Sequence, residues 1–166
     1  MSPNESQGHW DEVVEATELL HEERFAEALV ELKKVIQANP SNSYAFYYSG
    51  VALFEVGEME AARDAYRACI RLAPKHLGAR VALAHVLRAL GDLRGSIREG
   101  MAALSQSPED GDALYAVGIT YLARGEPQIA HRYLTAFLKT HPEFELKLEV
   151  ESLLKRIEQE NGEPFV

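Results

Sequence analysis

Four prolines fall at Pro40, Pro74, Pro108 and Pro142, each 34 residues after the one before. A fixed period of that length marks a repeat array, in which each unit buries its apolar face against its neighbours. Other columns keep the period. Twenty-four residues before each proline stand Ala16, Gly50, Ala84 and Gly118, all small, as close helix approach requires. Twenty-one before stand Leu19, Leu53, Leu87 and Tyr121, all large and apolar. Seventeen before stand Glu23, Gly57, Gly91 and Gly125, three glycines of four, which suits a tight turn after a helix. Ala28, Ala62, Ser96 and Ala130 form a second small column, and Ile36, Ile70, Leu104 and Leu138 a second large one.

The pattern resembles the tetratricopeptide repeat family over residues 9–142. The unit that matches best holds Leu114, Val117, Gly118, Tyr121, Ala130, Leu134 and Pro142; the next holds Phe46, Ser49, Gly50, Leu53, Ala62, Tyr66 and Pro74. The resemblance implies an all-α fold, an α-solenoid of four helix-turn-helix repeats at 9–42, 43–76, 77–110 and 111–142. Helix pairs are expected at 9–22 and 25–38, 43–56 and 59–72, 77–90 and 93–106, and 111–124 and 127–140. Pro127 fits a first helical turn. Leu146, Val150, Leu153, Leu154 and Ile157 recur at helical spacing, which predicts a ninth, C-terminal capping helix over 143–160. Residues 1–8 and 161–166 read as tails. Gly95 and Gly100 weaken helix 93–106 in this reading, leaving a gap that Arg80 is placed to fill.

The net charge is −9, unevenly spread. Residues 1–39 hold nine acids and three bases, residues 143–166 seven and three, and the middle ten and eleven. No basic cluster exists to neutralise phosphates, so nucleic acid is not the expected partner. No apolar run approaches a membrane span, and the polar N-terminus has no signal-peptide pattern, so a cytoplasmic location is expected. The single cysteine, Cys69, sits in a helical column with Val35, Ala103 and Phe137 and reads as a small buried hydrophobe. None of the six histidines pairs at i,i+4 or has a cysteine at metal-ligand spacing, and no phosphate loop or nucleophile elbow appears. No catalytic residue, cofactor site or metal site is therefore expected.

In the resembled family the first helices of the units line a concave groove. Columns offset from the packing columns place Trp10, Val13 and Thr17 there from the first unit, with Leu20 and His21. The second unit offers Tyr44, Tyr47, Tyr48, Val51 and Phe54. The third offers Val81, Ala82, His85 and Arg88, and the fourth Asp112, Tyr115, Ala116, Ile119 and Leu122. Tyrosine and tryptophan give large contact area at low entropic cost. The family's best-known groove chemistry, a basic clamp for a carboxylate, has none of its residues here. The groove is expected to take an apolar or amphipathic protein segment, with basic flanks as an option set by the acidic ends. The leading function is a non-catalytic adaptor or scaffold. The alternatives are a chaperone for a hydrophobic secreted client, which type III secretion translocator chaperones resemble in size and acidity, and an enzyme accessory domain acting in trans. Oligomeric state stays open.

Overall fold

The computed structural model describes residues 3–161, with side chains over 7–159. These residues form α1 (Pro3–Asp11), α2 (Val14–His21), α3 (Phe25–Ala38), α4 (Ser43–Glu55), α5 (Met59–Leu72), α6 (Leu77–Ala89), α7 (Leu93–Gln106), α8 (Gly111–Ala123), α9 (Pro127–Leu138) and α10 (Phe144–Asn161). No strand occurs among the described residues. From α2 to α10 consecutive helices pack pairwise along the array, as expected of an α-solenoid, while α1 lies against α4.

The punctuation is repeated as closely as the prolines. At each turn inside a repeat, Glu23, Gly57, Gly91 and Gly125 take positive φ of 57°, 82°, 82° and 74°. The next residue's amide then reaches back to the large-column carbonyl: Arg24 to Leu19, Glu58 to Leu53, Asp92 to Leu87, Glu126 to Tyr121, at 2.8–3.0 Å. This is the Schellman closure, and it needs a left-handed residue at that place. Between repeats, Asn39, Ala73 and Ser107 are extended (φ −137°, −131° and −138°), because the following proline crowds the helical conformation of the residue before it. Asn42, His76 and Asp110, again 34 apart, cap α4, α6 and α8 by accepting the amides of Ala45, Ala79 and Ala113.

The small columns set how closely helices approach. A Cβ on Gly50 would stand 2.5 Å from the Tyr66 ring, and one on Gly118 2.7 Å from Leu134 Cδ2. Leu134 is fully buried and Tyr66 is 3% exposed. In the third repeat the large residue is replaced by Gly100, and the expected gap is absent. Val117 reaches across from α8 until its Cγ2 would lie 2.5 Å from a Cβ at Gly100. Arg80 is used elsewhere: it binds Glu99 at 2.9 Å and the Pro74 carbonyl. Ser96 and Thr120, both buried, share a hydrogen bond of 2.9 Å that joins α7 to α8.

Two expectations at the N-terminal end are corrected. Helix 9–22 is two helices, and the first begins at Pro3, inside the stretch read as a tail. The break falls at Glu12–Val13, and among the described residues ten helices replace the nine expected. The break turns Val13 into the core and lets Glu12 accept from the side-chain amides of Asn39 and Asn42 at 2.9 and 2.8 Å. Asn42 also donates to the His9 carbonyl at 2.7 Å. These bonds tie the break to the α3–α4 connection.

The core runs as three clusters. The first holds Val13, Ala16, Leu32 and Ala45. The second holds Ala62, Tyr66, Cys69, Ala79, Leu83, Val86 and Leu87. The third gathers Val81, Ala103, Leu104, Ala113, Leu114, Val117, Leu134 and Phe137, and continues into Val150 and Leu154 of α10. Helix α10 thus covers the apolar side of α9, and Ile157 is also buried. Residues 162–166, read as part of the tail, lie outside the described residues.

Candidate binding face

The first helices of successive repeats (α2, α4, α6, α8) share one side of the array, and two open clefts lie along it. The first, about 600 Å³, is bounded by Trp10, Thr17, Leu20 and His21 on one wall and Tyr47, Tyr48 and Val51 on the other, with Glu23, Phe25 and Glu55 at its sides. The second, about 440 Å³, is bounded by Tyr47, Leu77, Gly78, Val81, Ala82, His85, Asp110 and Asp112. Tyr47 is the wall between them.

Its rings form a continuous chain of contacts. Trp10 meets Tyr44 and Tyr48 edge-on at 5.7 and 6.0 Å, Tyr48 meets Tyr47 at 5.1 Å, and Tyr47 meets His76 at 4.6 Å. Edge-to-face in the first three pairs and tilted in the last, these contacts hold each ring against its neighbours. Further along, Tyr115 touches His85 at 6.3 Å and Phe137 at 5.3 Å. The absence of a side chain at Gly78 leaves room for the Tyr47 hydroxyl, 3.3 Å from where a Cβ would stand. Partial burial holds the Tyr47, Tyr48 and Tyr115 hydroxyls above their ordinary pKa, so they remain neutral donors.

Among the residues expected in the groove, Trp10 and Phe54 are 38% and 37% exposed, and Asp112 is exposed. Thr17, Tyr44, Tyr47, Tyr48, Val51, His85, Arg88, Tyr115 and Ile119 are half-buried. Val13 is corrected: it is wholly buried and lines no groove, because the helix break rotates it inward. Val81 and Ala116 are 7% and 1% exposed and belong to the core, although the edge of Val81 borders the second cleft. Burial, followed by the nearby Arg88 charge, lowers the pKa of His85, so the ring is neutral near pH 7. His76 is lowered too, chiefly by burial, and its Nδ1 accepts the Ala79 amide at 3.1 Å.

Of the residues that bound the two clefts, Glu23, Phe25, Glu55, Leu77, Gly78 and Asp110 were not placed in the groove from the sequence. Glu23 was visible as the one non-glycine in its column. Asp110 was visible as the last member of the Asn42–His76–Asp110 column. Glu55 carries no such mark, since acids are common on exposed helix ends. Cys69 is fully buried in the cluster that Tyr47 packs against, and burial pushes its thiol up to about 12. Among the described residues no cluster of three metal-ligating side chains occurs, and no helix is long and apolar enough to cross a membrane.

A tetratricopeptide repeat family model matches residues 13–76, which include Tyr44, Tyr47, Tyr48 and His76 of this face. Residues 13–76 carry tetratricopeptide repeats. Solved structures agree on the fold. A structure of MamA superposes with a TM-score of 0.81 at 18% identity, covering 89% of this chain and 84% of that one. The pilF protein of Pseudomonas aeruginosa gives 0.81 at 15% identity, over 93% of this chain and 69% of its own. A structure of the APC/C hetero-tetramer Cut9-Hcn1 gives 0.79 at 19% identity, over 90% of this chain and 29% of that one. At these identities the likeness is one of fold. No curated protein matches the sequence. The tetratricopeptide fold generally serves as a protein-interaction scaffold, and such repeats are typically non-catalytic.

Proposed function

We propose that this tetratricopeptide array is an adaptor that binds an apolar or amphipathic segment of another protein along the α2–α4–α6–α8 face. The observation that supports it is the chain of contacts from Trp10 through Tyr44, Tyr48 and Tyr47 to His76. These rings are half-exposed yet held in place by one another, so little freedom remains to be lost on binding. Open clefts on both sides of Tyr47 offer pockets for side chains that project from an extended or helical segment.

Selection of displayed peptides on the immobilised protein, followed by affinity measurement, tests this. Selected peptides should be rich in apolar residues. Tyr48→Ala and Tyr115→Ala should each weaken them about thirtyfold, the effect of losing an interfacial hot spot. Arg67→Ala, exposed on α5, should leave them unchanged. Peptides indifferent to both tyrosines and sensitive to Arg67 would refute the reading. A chaperone for a hydrophobic client would instead hold long unfolded chains that no short peptide displaces.

A further inference from the structure

The first cleft carries a charge pattern of its own. Its walls are mostly aromatic and aliphatic, from Trp10, Leu20, Phe25, Tyr47, Tyr48 and Val51, with Thr17 and His21 also in the lining. Its carboxylates are Glu23 and Glu55, one from the α2–α3 turn and one from the last turn of α4. Among the described residues neither is in an ion pair. The nearest base in sequence, Arg24, is taken by Glu22 at 2.7 Å and Glu27 at 2.6 Å. On α3 Glu31 is paired with Lys34, and on α5 Asp64 with Arg63. Two anions beside rings with electron-rich faces make a cleft complementary to a cation on an apolar stem. Glu23 reaches this place from a left-handed backbone that the equivalent positions of the other three repeats give to glycine.

We infer that this cleft receives an arginine or lysine side chain of the bound segment, its stem against Trp10, Tyr47 and Tyr48 and its charge between Glu23 and Glu55. The inference rests on the binding-face reading and gives that partner its chemistry: a basic residue set among apolar ones. An arginine suits the site best, because a planar guanidinium stacks on a ring while its edges donate to carboxylates.

Trp10 is the chain's single tryptophan, so its fluorescence reports on this cleft. The probes are acetylated, amidated pentapeptides Leu-Ala-X-Ala-Leu, with X arginine, norleucine or glutamate, titrated into the millimolar range. The arginine peptide should shift Trp10 emission saturably and bind about tenfold more tightly than the norleucine peptide. The glutamate peptide should bind weakest. That preference should shrink at high salt and vanish in Glu23→Gln/Glu55→Gln, whose folding is checked by its helical spectrum. Norleucine binding as tightly as arginine, or a double variant that keeps the preference, overturns the inference and leaves the binding face standing. If none of the three peptides perturbs Trp10, the binding face and the cation site fall together.

Discussion

Gly118→Ala asks whether close helix approach or helix propensity governs this array. In a helix interior alanine is better than glycine by about 1 kcal/mol, so propensity alone predicts stabilisation. The structure predicts the reverse. The new methyl would lie 2.7 and 2.8 Å from Leu134 Cδ2 and Cγ, and 3.4 Å from the Leu134 amide nitrogen. Leu134 is fully buried against Phe137 and Val117, so its branched end has nowhere to swing, and the backbone contact resists a closer α8–α9 approach. Overpacking of this kind costs about 1–3 kcal/mol. Set against the propensity gain of about 1 kcal/mol, the net loss is about 0–2 kcal/mol, or up to roughly 8 °C in thermal midpoint for a chain of this size. The assay is thermal unfolding followed by the helical circular-dichroism signal. Leu134→Ala supplies the second arm: alone it leaves a cavity, but beside Gly118→Ala it removes the clash, so the two losses should sum to more than the double variant shows. A raised midpoint for Gly118→Ala, or strictly additive losses, would refute the packing argument.

Glu23→Gly should raise the thermal midpoint by about 1–3 °C, since relief of a left-handed non-glycine exceeds the entropy that glycine adds to the unfolded chain; a lowered midpoint would show that the Glu23 side chain stabilises the fold. His76 and His85 both have folded-state pKa values below the ordinary one. The unfolded chain therefore binds more protons as pH drops below about 6.5, and stability present above that pH is lost as it falls. Protonation of His76 also removes the acceptor that caps α6, so His76→Asn, which caps without titrating, should flatten part of the dependence; an identical pH profile for wild type and variant would count against the cap.

Much of this fold was legible because its constraints are periodic. A proline every 34 residues sets the helix ends, and the steric rule for the residue before proline gives three connections the same extended geometry. The α3, α5 and α7 spans needed no correction for that reason. What escaped was aperiodic. The break at Glu12–Val13 has no glycine or proline to announce it; it is set by the amides of Asn39 and Asn42, 27 and 30 residues away. The gap at Gly100 is closed by Val117 from the next repeat, a trade of volume between columns that no single column reveals. At the binding face, helical spacing brought the tyrosines to one side but could not tell Val13 and Val81 from their half-exposed neighbours, because turning a helix by part of a residue decides which edge is covered. Glu23 was present as an exception in a glycine column, a signal that reads as noise until its φ is known.

The three clusters of the core differ in depth. The C-terminal one is large and continues into α10, whereas the N-terminal one rests on Val13, Ala16, Leu32 and Ala45. In a stack held by nearest-neighbour contacts, opening begins where the interface terms are smallest. The amides of α2 and α3 should therefore exchange with solvent long before those of α8 and α9. The aromatic face and the two free carboxylates sit on that same loosely anchored end. A partner seated there would supply the contacts that the first repeat lacks on one side, so its grip and the persistence of α2–α3 are two readings of one equilibrium. The far repeats then act as the anvil: they hold still while the near end is set by what it holds.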